Sequence, residues 1–197
     1  MPEIQENKHM QRARNGVNRL RLILTNLTEA ANLEEAMKDE IKEPVDLPEL
    51  ISEFVDGYRV SYPGQEFQVE NYGNPIIIES SPDHLAQMLD KLIDNAVQFS
   101  DANRPIIVRT TRANDSAEIS VLNEGPKIPE NIGDKLFDPM VSFGKTNAKH
   151  SHLGLGLFVV RLIAEYHQGM AWAANREDRE GVEVTVSIPL LNAAAAA

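Results

Sequence analysis

The chain contains no cysteine, so it has neither a disulfide framework nor a thiolate metal site, a composition that suits a reducing compartment. It carries no secretory apolar segment, and no apolar run approaches the ~18 residues of a membrane span. The chain is therefore expected to be soluble, with no membrane contact of its own. Basic residues are few: 19 Lys and Arg stand against 30 Asp and Glu, a formal net charge of −11. Binding a polyanion takes clustered Lys and Arg, so the composition argues against a nucleic-acid or anionic-lipid binder. Between residues 10 and 41 proline is missing and Gly16 is the one glycine. What is present is a core. Hydrophobic residues make up 42% of 197, enough for one domain of ordinary size plus an appendage.

The glycine-poor stretch predicts a single long amphipathic helix. Val17, Leu20, Leu24, Leu27 and Ala31 recur at three- and four-residue steps, with Ile23, Ala30 and Met37 alongside. That apolar face is wider than one helix can bury alone, which calls for a partner helix or a second copy of the chain. Pro44 is expected to end it, because proline disfavours helical geometry in the residue before it.

Beyond Pro44 the periodicity switches to α/β. Helices are predicted over 47–62, 82–99 and 155–167, and strands over 67–71, 76–79, 106–112, 117–122, 170–174 and 182–188. The turn-prone Asn114-Asp115 makes an antiparallel hairpin of the middle pair. The economical assembly is α/β: a two-layer sandwich of a mixed sheet with helices on one face.

The strongest local signal is His152-Leu153-Gly154-Leu155-Gly156-Leu157-Phe158, two glycines opening an apolar helical run. Glycine lets backbone amides approach an anion where a Cβ would collide, and the free N–H groups of a helix start carry partial positive charge. Phosphate is the ligand this chemistry favours. Upstream, in order, stand Leu92-Ile93-Asp94-Asn95-Ala96-Val97-Gln98-Phe99, Asn123-Glu124-Gly125-Pro126-Lys127-Ile128-Pro129 and Leu136-Phe137-Asp138-Pro139. Together the four segments resemble the N, G1, F and G2 boxes of the histidine kinase and Hsp90-like ATPase superfamily, over roughly residues 45–190. The resemblance implies the Bergerat ATP-binding fold, and with it ATP and Mg²⁺. The boxes also resemble those of the proteobacterial dedicated sortase system histidine kinases.

Carried onto this chain, the resemblance makes Asn95 the metal ligand that bridges to the phosphates. Magnesium prefers hard oxygen donors and takes one or two from protein while phosphates and waters complete its octahedron. Asn123 stands where the family has an Asp that accepts a hydrogen bond from the adenine amino group, and its amide oxygen can accept the same bond. Gln98, Phe99, Gly125, Lys127, Ile128 and Phe137 complete the expected nucleotide surface, with Leu153, Gly154, Leu155, Gly156 and Leu157 at the phosphates. The polar segment 141–153 between them is expected to be a mobile lid, from which Lys145 could reach the triphosphate. Several positions depart from the family pattern. Lys91 stands where kinases have Asn and hydrolysing relatives a Glu; a protonated Lys cannot take a proton from water, though it can neutralise phosphate charge. Gln98 replaces a basic residue, Lys127 the second glycine of its box, and His152 another glycine.

The resemblance to histidine kinases also implies that residues 1–44 are the second helix of a dimerisation hairpin, 45–191 the ATP-binding domain and 192–197 a tail. The phosphoacceptor would stand on a helix absent from this chain, since His9 is followed by Met10-Gln11-Arg12 without an acidic neighbour. The expectation is a protein-histidine kinase catalytic part, cytoplasmic and homodimeric through its N-terminal helix, working with a response regulator and belonging to an inner-membrane sensor. The alternative is a degenerate module that dimerises and holds a regulator with little ATP turnover.

Overall fold

The computed structural model describes residues 40–71, 74–101, 103–130, 132–138 and 156–191, together with single residues between Met10 and Met37. The expectations for His9, Ile23, Leu27, Ala30, the lid with Lys145, the 152–155 glycine turn and the 192–197 tail lie outside these residues.

Each described residue between Met10 and Met37 is helical, and helical geometry has ended by Glu40. The helix therefore stops short of the predicted Ile41, and Pro44 lies inside a strand. That strand, β1 (Glu43–Asp46), pairs antiparallel with β3 (Ile77–Ser80) as a separate two-stranded sheet. The helix presents two kinds of surface. Val17, Leu20 and Leu24 are exposed, whereas Leu33 and Met37 are buried in the domain core.

Glu40 and Lys42 strap the chain onto the domain. The Glu40 carboxylate accepts from the Ser81 hydroxyl at 2.5 Å and lies 2.8 Å from His84 Nε2, at the start of α2 (Pro82–Phe99). The Lys42 ammonium donates to the Tyr166 carbonyl at 3.1 Å, at the end of α3 (Gly156–Tyr166). Each charge thus meets the helix end of opposite partial sign.

The main sheet has five strands in the order β2 (Phe67–Asn71), β4 (Ile106–Ala113), β5 (Ser116–Glu124), β7 (Gly181–Pro189), β6 (Met170–Asn175). The β2–β4 pair is parallel and the rest antiparallel, which confirms the mixed sheet. Alternation puts Phe67, Ile106, Val108, Ile119, Val121, Val184 and Val186 on one face, all buried. Against that face lie α1 (Leu47–Ser61), α2 and α3, through Leu47, Ile51, Leu85, Leu89, Leu92, Ile93 and Ile163. Proline near the first turn of α1 and of α2 suits a position whose N–H has no helical partner. Tyr58 in the last turn of α1 and Tyr62 at its C-cap donate to Asp90 at 2.5 Å and Asp94 at 2.6 Å on α2. These bonds set the register of the helix that carries Asn95.

Candidate functional site

Four elements converge where the sequence placed the nucleotide. The first is the last two turns of α2, whose buried stripe Leu85, Met88, Leu89, Leu92, Ile93 and Ala96 faces the sheet. Asn95 lies beside that stripe and is half-buried. Lys91, one turn earlier, is half-buried as well and shares its helix face by the i, i+4 rule. Gln98 is exposed and Phe99 half-buried.

The second element is the end of β5. Asn123 follows Val121 on the helix-facing side, opposite Val182 of β7, and is 3% exposed. Its Nδ2 is buried without a hydrogen-bond partner. Leaving a buried donor unpaired costs about 1–3 kcal/mol, so a ligand acceptor at that atom recovers what the fold forfeits. Gly125 is buried, and a Cβ there would collide with the carbonyl oxygen of Phe99 while standing 3.3 Å from Asn123 Nδ2. Its glycine is thus required by the approach of β5 to the end of α2, a packing reason the sequence did not reveal.

The third element is the 3₁₀ turn Gly133–Phe137. Phe137 is 4% exposed and joins the core, while the neighbouring Asp138 carboxylate meets Arg161 of α3 at 3.1 Å. The fourth is the start of α3. Leu157 is buried in the core, and a Cβ on Gly156 would stand 3.9 Å from Lys91 Cβ and 4.0 Å from its carbonyl, which sets Gly156 and Lys91 face to face. Lys127 is exposed, and Ile128 packs partly against the core. The structure therefore sets Lys91 against Gly156 and sets Phe99 and Asn123 against Gly125, with Asn95 on the same helix as Lys91 and Phe99 and with Phe137 and Leu157 in the core; Gln98 and Lys127 are exposed.

Some supporting residues escaped the sequence reading. Asn175, at the end of β6, accepts from the Ile128 N–H at 2.7 Å and donates to its carbonyl at 3.0 Å. Glu124 bridges Arg179 at 2.8 Å and Arg104 at 3.5 Å, and the Arg179 hydrogen bond holds its carboxyl below the usual carboxylate range. No local pattern announces either residue, because their partners are distant in sequence.

The electrostatics of α2 have one further consequence. The Tyr62 phenol is pushed up to about 12, chiefly by its bond to Asp94, and burial together with Asp90 raises Tyr58 still further. Both hydroxyls stay protonated and keep donating throughout the physiological range. Among the described residues no cluster of His, Cys, Asp or Glu could hold a metal by itself.

Comparison with known proteins agrees with this geometry. The profile of the family described as histidine kinase-, DNA gyrase B-, and HSP90-like ATPase matches residues 80–192. The heme sensor protein HssS of Staphylococcus haemolyticus is 28% identical over 173 residues, 86% of this chain and 37% of that protein. The sensor protein kinase WalK of Staphylococcus saprophyticus is 26% identical over 85% of this chain and 28% of its own length. The chain thus spans roughly a third of the curated relatives it matches. Among solved structures, the catalytic domain of histidine kinase ThkA superposes with a TM-score of 0.65 at 29% identity, covering 76% of this chain and 96% of that one. ThkA in complex with the response regulator protein TrrA covers 85% of this chain and 48% of ThkA, at 26% identity and a TM-score of 0.65. Among the described residues no helix is long and apolar enough to cross a membrane. The chain belongs to the family of histidine kinase-, DNA gyrase B- and HSP90-like ATPases, and its domain has the fold of histidine kinase catalytic domains.

Proposed function

We propose that this chain binds Mg·ATP and presents the γ-phosphoryl to a histidine on a helix outside it, from which the group passes to an aspartate of a response regulator. The observation that carries the reading is the unengaged amide of Asn123. Asn123 Nδ2 is buried without a partner, and Asn95 is half-buried on α2 beside the buried stripe. Asn123 accepts from the adenine amino group through Oδ1 and donates to a ring nitrogen or an ordered water through Nδ2. Asn95 offers its Oδ1 to the metal, which would supply neutralisation of the triphosphate. Lys91, facing the same way, adds positive charge that a general base could not, which fits phosphoryl transfer by positioning better than attack by water. Gly156 keeps the start of α3 open to phosphate, with Leu153, Gly154 and Leu155 expected to continue the cradle. Gln98, Lys127, Ile128, Lys145 and His152 are assigned to the rim and lid.

The same reading gives residues 1–44 to a dimerisation hairpin, 45–191 to ATP binding and 192–197 to a tail. Exposed Val17, Leu20 and Leu24 would then be covered by a second copy, within a sensor anchored at the inner membrane. ThkA, the relative solved with a response regulator, supports the partner class.

Calorimetric titration of ATP with and without Mg²⁺, on this chain and on Asn95→Ala, tests the site. Saturable binding that magnesium strengthens and the substitution weakens is expected. Absence of binding at millimolar ATP would overturn it in favour of a degenerate module.

A further inference from the structure

The segment that carries Asn123 is tied down on both flanks, and the ties meet at Glu124. Its backbone carbonyl accepts from the Asp101 N–H at 2.7 Å, the first residue after the C-cap of α2. Its carboxylate is 14% exposed and receives Arg179 at 2.8 Å on one oxygen and Arg104 at 3.5 Å on the other. Arg179 also meets Asp178 at 2.7 Å, and Asp178 in turn accepts two bonds from the buried Arg176, at 3.0 and 2.9 Å. The loop after α2 and the β6–β7 hairpin are therefore joined through one carboxylate.

Backbone packing has the same focus. A Cβ on Gly125 would collide with Phe99, and one on Gly181 would collide with the Asn123 carbonyl and approach Arg176 Cδ at 3.1 Å. The Gly125 N–H points to the Glu180 carbonyl at 3.4 Å. Side chains alternate across a strand, so Asn123 faces the helices while Glu124 faces away from them. Glu124 cannot reach a ligand held between sheet and helices, but it can decide where Asn123 stands.

We infer that Glu124 is a positioning residue for base recognition: through its ion pairs with Arg104 and Arg179 it fixes the Asn123 amide at the register that selects adenine. The inference rests on the reading of Asn123 as the base contact. Two amide atoms that must match two atoms of a purine edge tolerate little displacement, and a misplacement of an ångström is costly in recognition as in catalysis. Loosening the clamp thus weakens ATP and narrows its advantage over GTP, whose corresponding edge presents the opposite hydrogen-bonding pattern.

The test is a double-mutant cycle read by calorimetric titration of ATP and GTP on the whole chain: wild type, Glu124→Ala, Asn123→Ala and the double variant. Glu124→Ala is expected to weaken ATP about tenfold, the worth of one charge-assisted hydrogen bond, and to reduce discrimination against GTP. In the Asn123→Ala background the same substitution should have no further effect, because its route to the ligand has gone. A purely structural role would weaken both backgrounds and both nucleotides alike, and that result overturns the inference, as does unchanged ATP affinity in Glu124→Ala. Arg179→Ala removes the same ion pair from an exposed residue and should reproduce the loss of discrimination; unchanged discrimination in it also overturns the inference. A wild-type chain that binds no ATP would instead overturn the reading of the site, and the inference with it.

Discussion

Gly125 and Gly156 belong to two glycine motifs that a sequence reading treats alike, yet the structure separates their roles and predicts opposite results for the same substitution. In Gly125→Ala the new methyl falls well inside the 3.0 Å that Cβ atoms keep from other heavy atoms, and its obstacle is the Phe99 backbone carbonyl in the last turn of α2. A carbonyl in a helix cannot rotate away without disturbing neighbours such as the Ala96 carbonyl and Ser100 N–H, which are bonded at 2.8 Å. Overpacking of this kind costs about 1–3 kcal/mol, or roughly 2–12 °C in Tm for a chain of this size. In Gly156→Ala the methyl would meet Lys91 at 3.9 Å, ordinary contact, and alanine at a helix start raises stability by up to about 1 kcal/mol. Calorimetric Tm and ATP titration on both variants read the two effects separately. Gly125→Ala should melt earlier; Gly156→Ala should melt no earlier than the parent yet bind ATP more weakly, since the methyl crowds the amides to which the proposed site assigns phosphate. A Gly125→Ala protein with an unchanged Tm would refute the packing argument. A destabilised Gly156→Ala protein with intact affinity would refute the division of roles.

Burial holds His84 and His167 below the ordinary imidazole range, although Glu40 partly opposes this at His84 and the Ile163 carbonyl at His167. The unfolded chain then binds more protons, so stability is complete above about pH 6.5 and is lost as pH falls from there through the folded-state values. Urea midpoints at about pH 7.5 and pH 5.5 should drop on acidification, and should drop less in His84→Gln/His167→Gln; equal drops would count against it. The raised Tyr58 and Tyr62 hydroxyls give the converse dependence at the alkaline end. Their contribution is complete below about pH 10 and declines as pH rises through the folded values, so Tyr58→Phe/Tyr62→Phe should flatten the alkaline limb of a denaturation profile. Leu89→Ala empties a fully buried site beneath α2 and should cost about 2–5 kcal/mol by urea unfolding; a loss below about 1 kcal/mol would show that the core collapses around it.

Most of the architecture and the residues of the candidate site could be read from the chain alone, because the signals concerned are local. Apolar spacing placed α1, α2 and the strands of the mixed sheet close to their observed bounds, and the ordered boxes led to Asn95, Asn123, Phe137 and Gly156. Those signals are periods of 3.6 and 2 and short motifs, which depend on neighbouring residues. What the tertiary structure alone decided are pairings between residues far apart in sequence. Pro44 reads as a helix terminator but lies in β1 against β3; Gly125 reads as a ligand glycine but is required by Phe99; and Glu40 and Lys42 tie the chain ahead of β1 to the start of α2 and the end of α3. Glu124, with Arg104 behind α2 and Arg179 on the β6–β7 hairpin, is the clearest case. Its neighbours in sequence announce nothing about it, because an ion pair's strength depends on distance and burial in space, and only the folded sheet brings those three charges together.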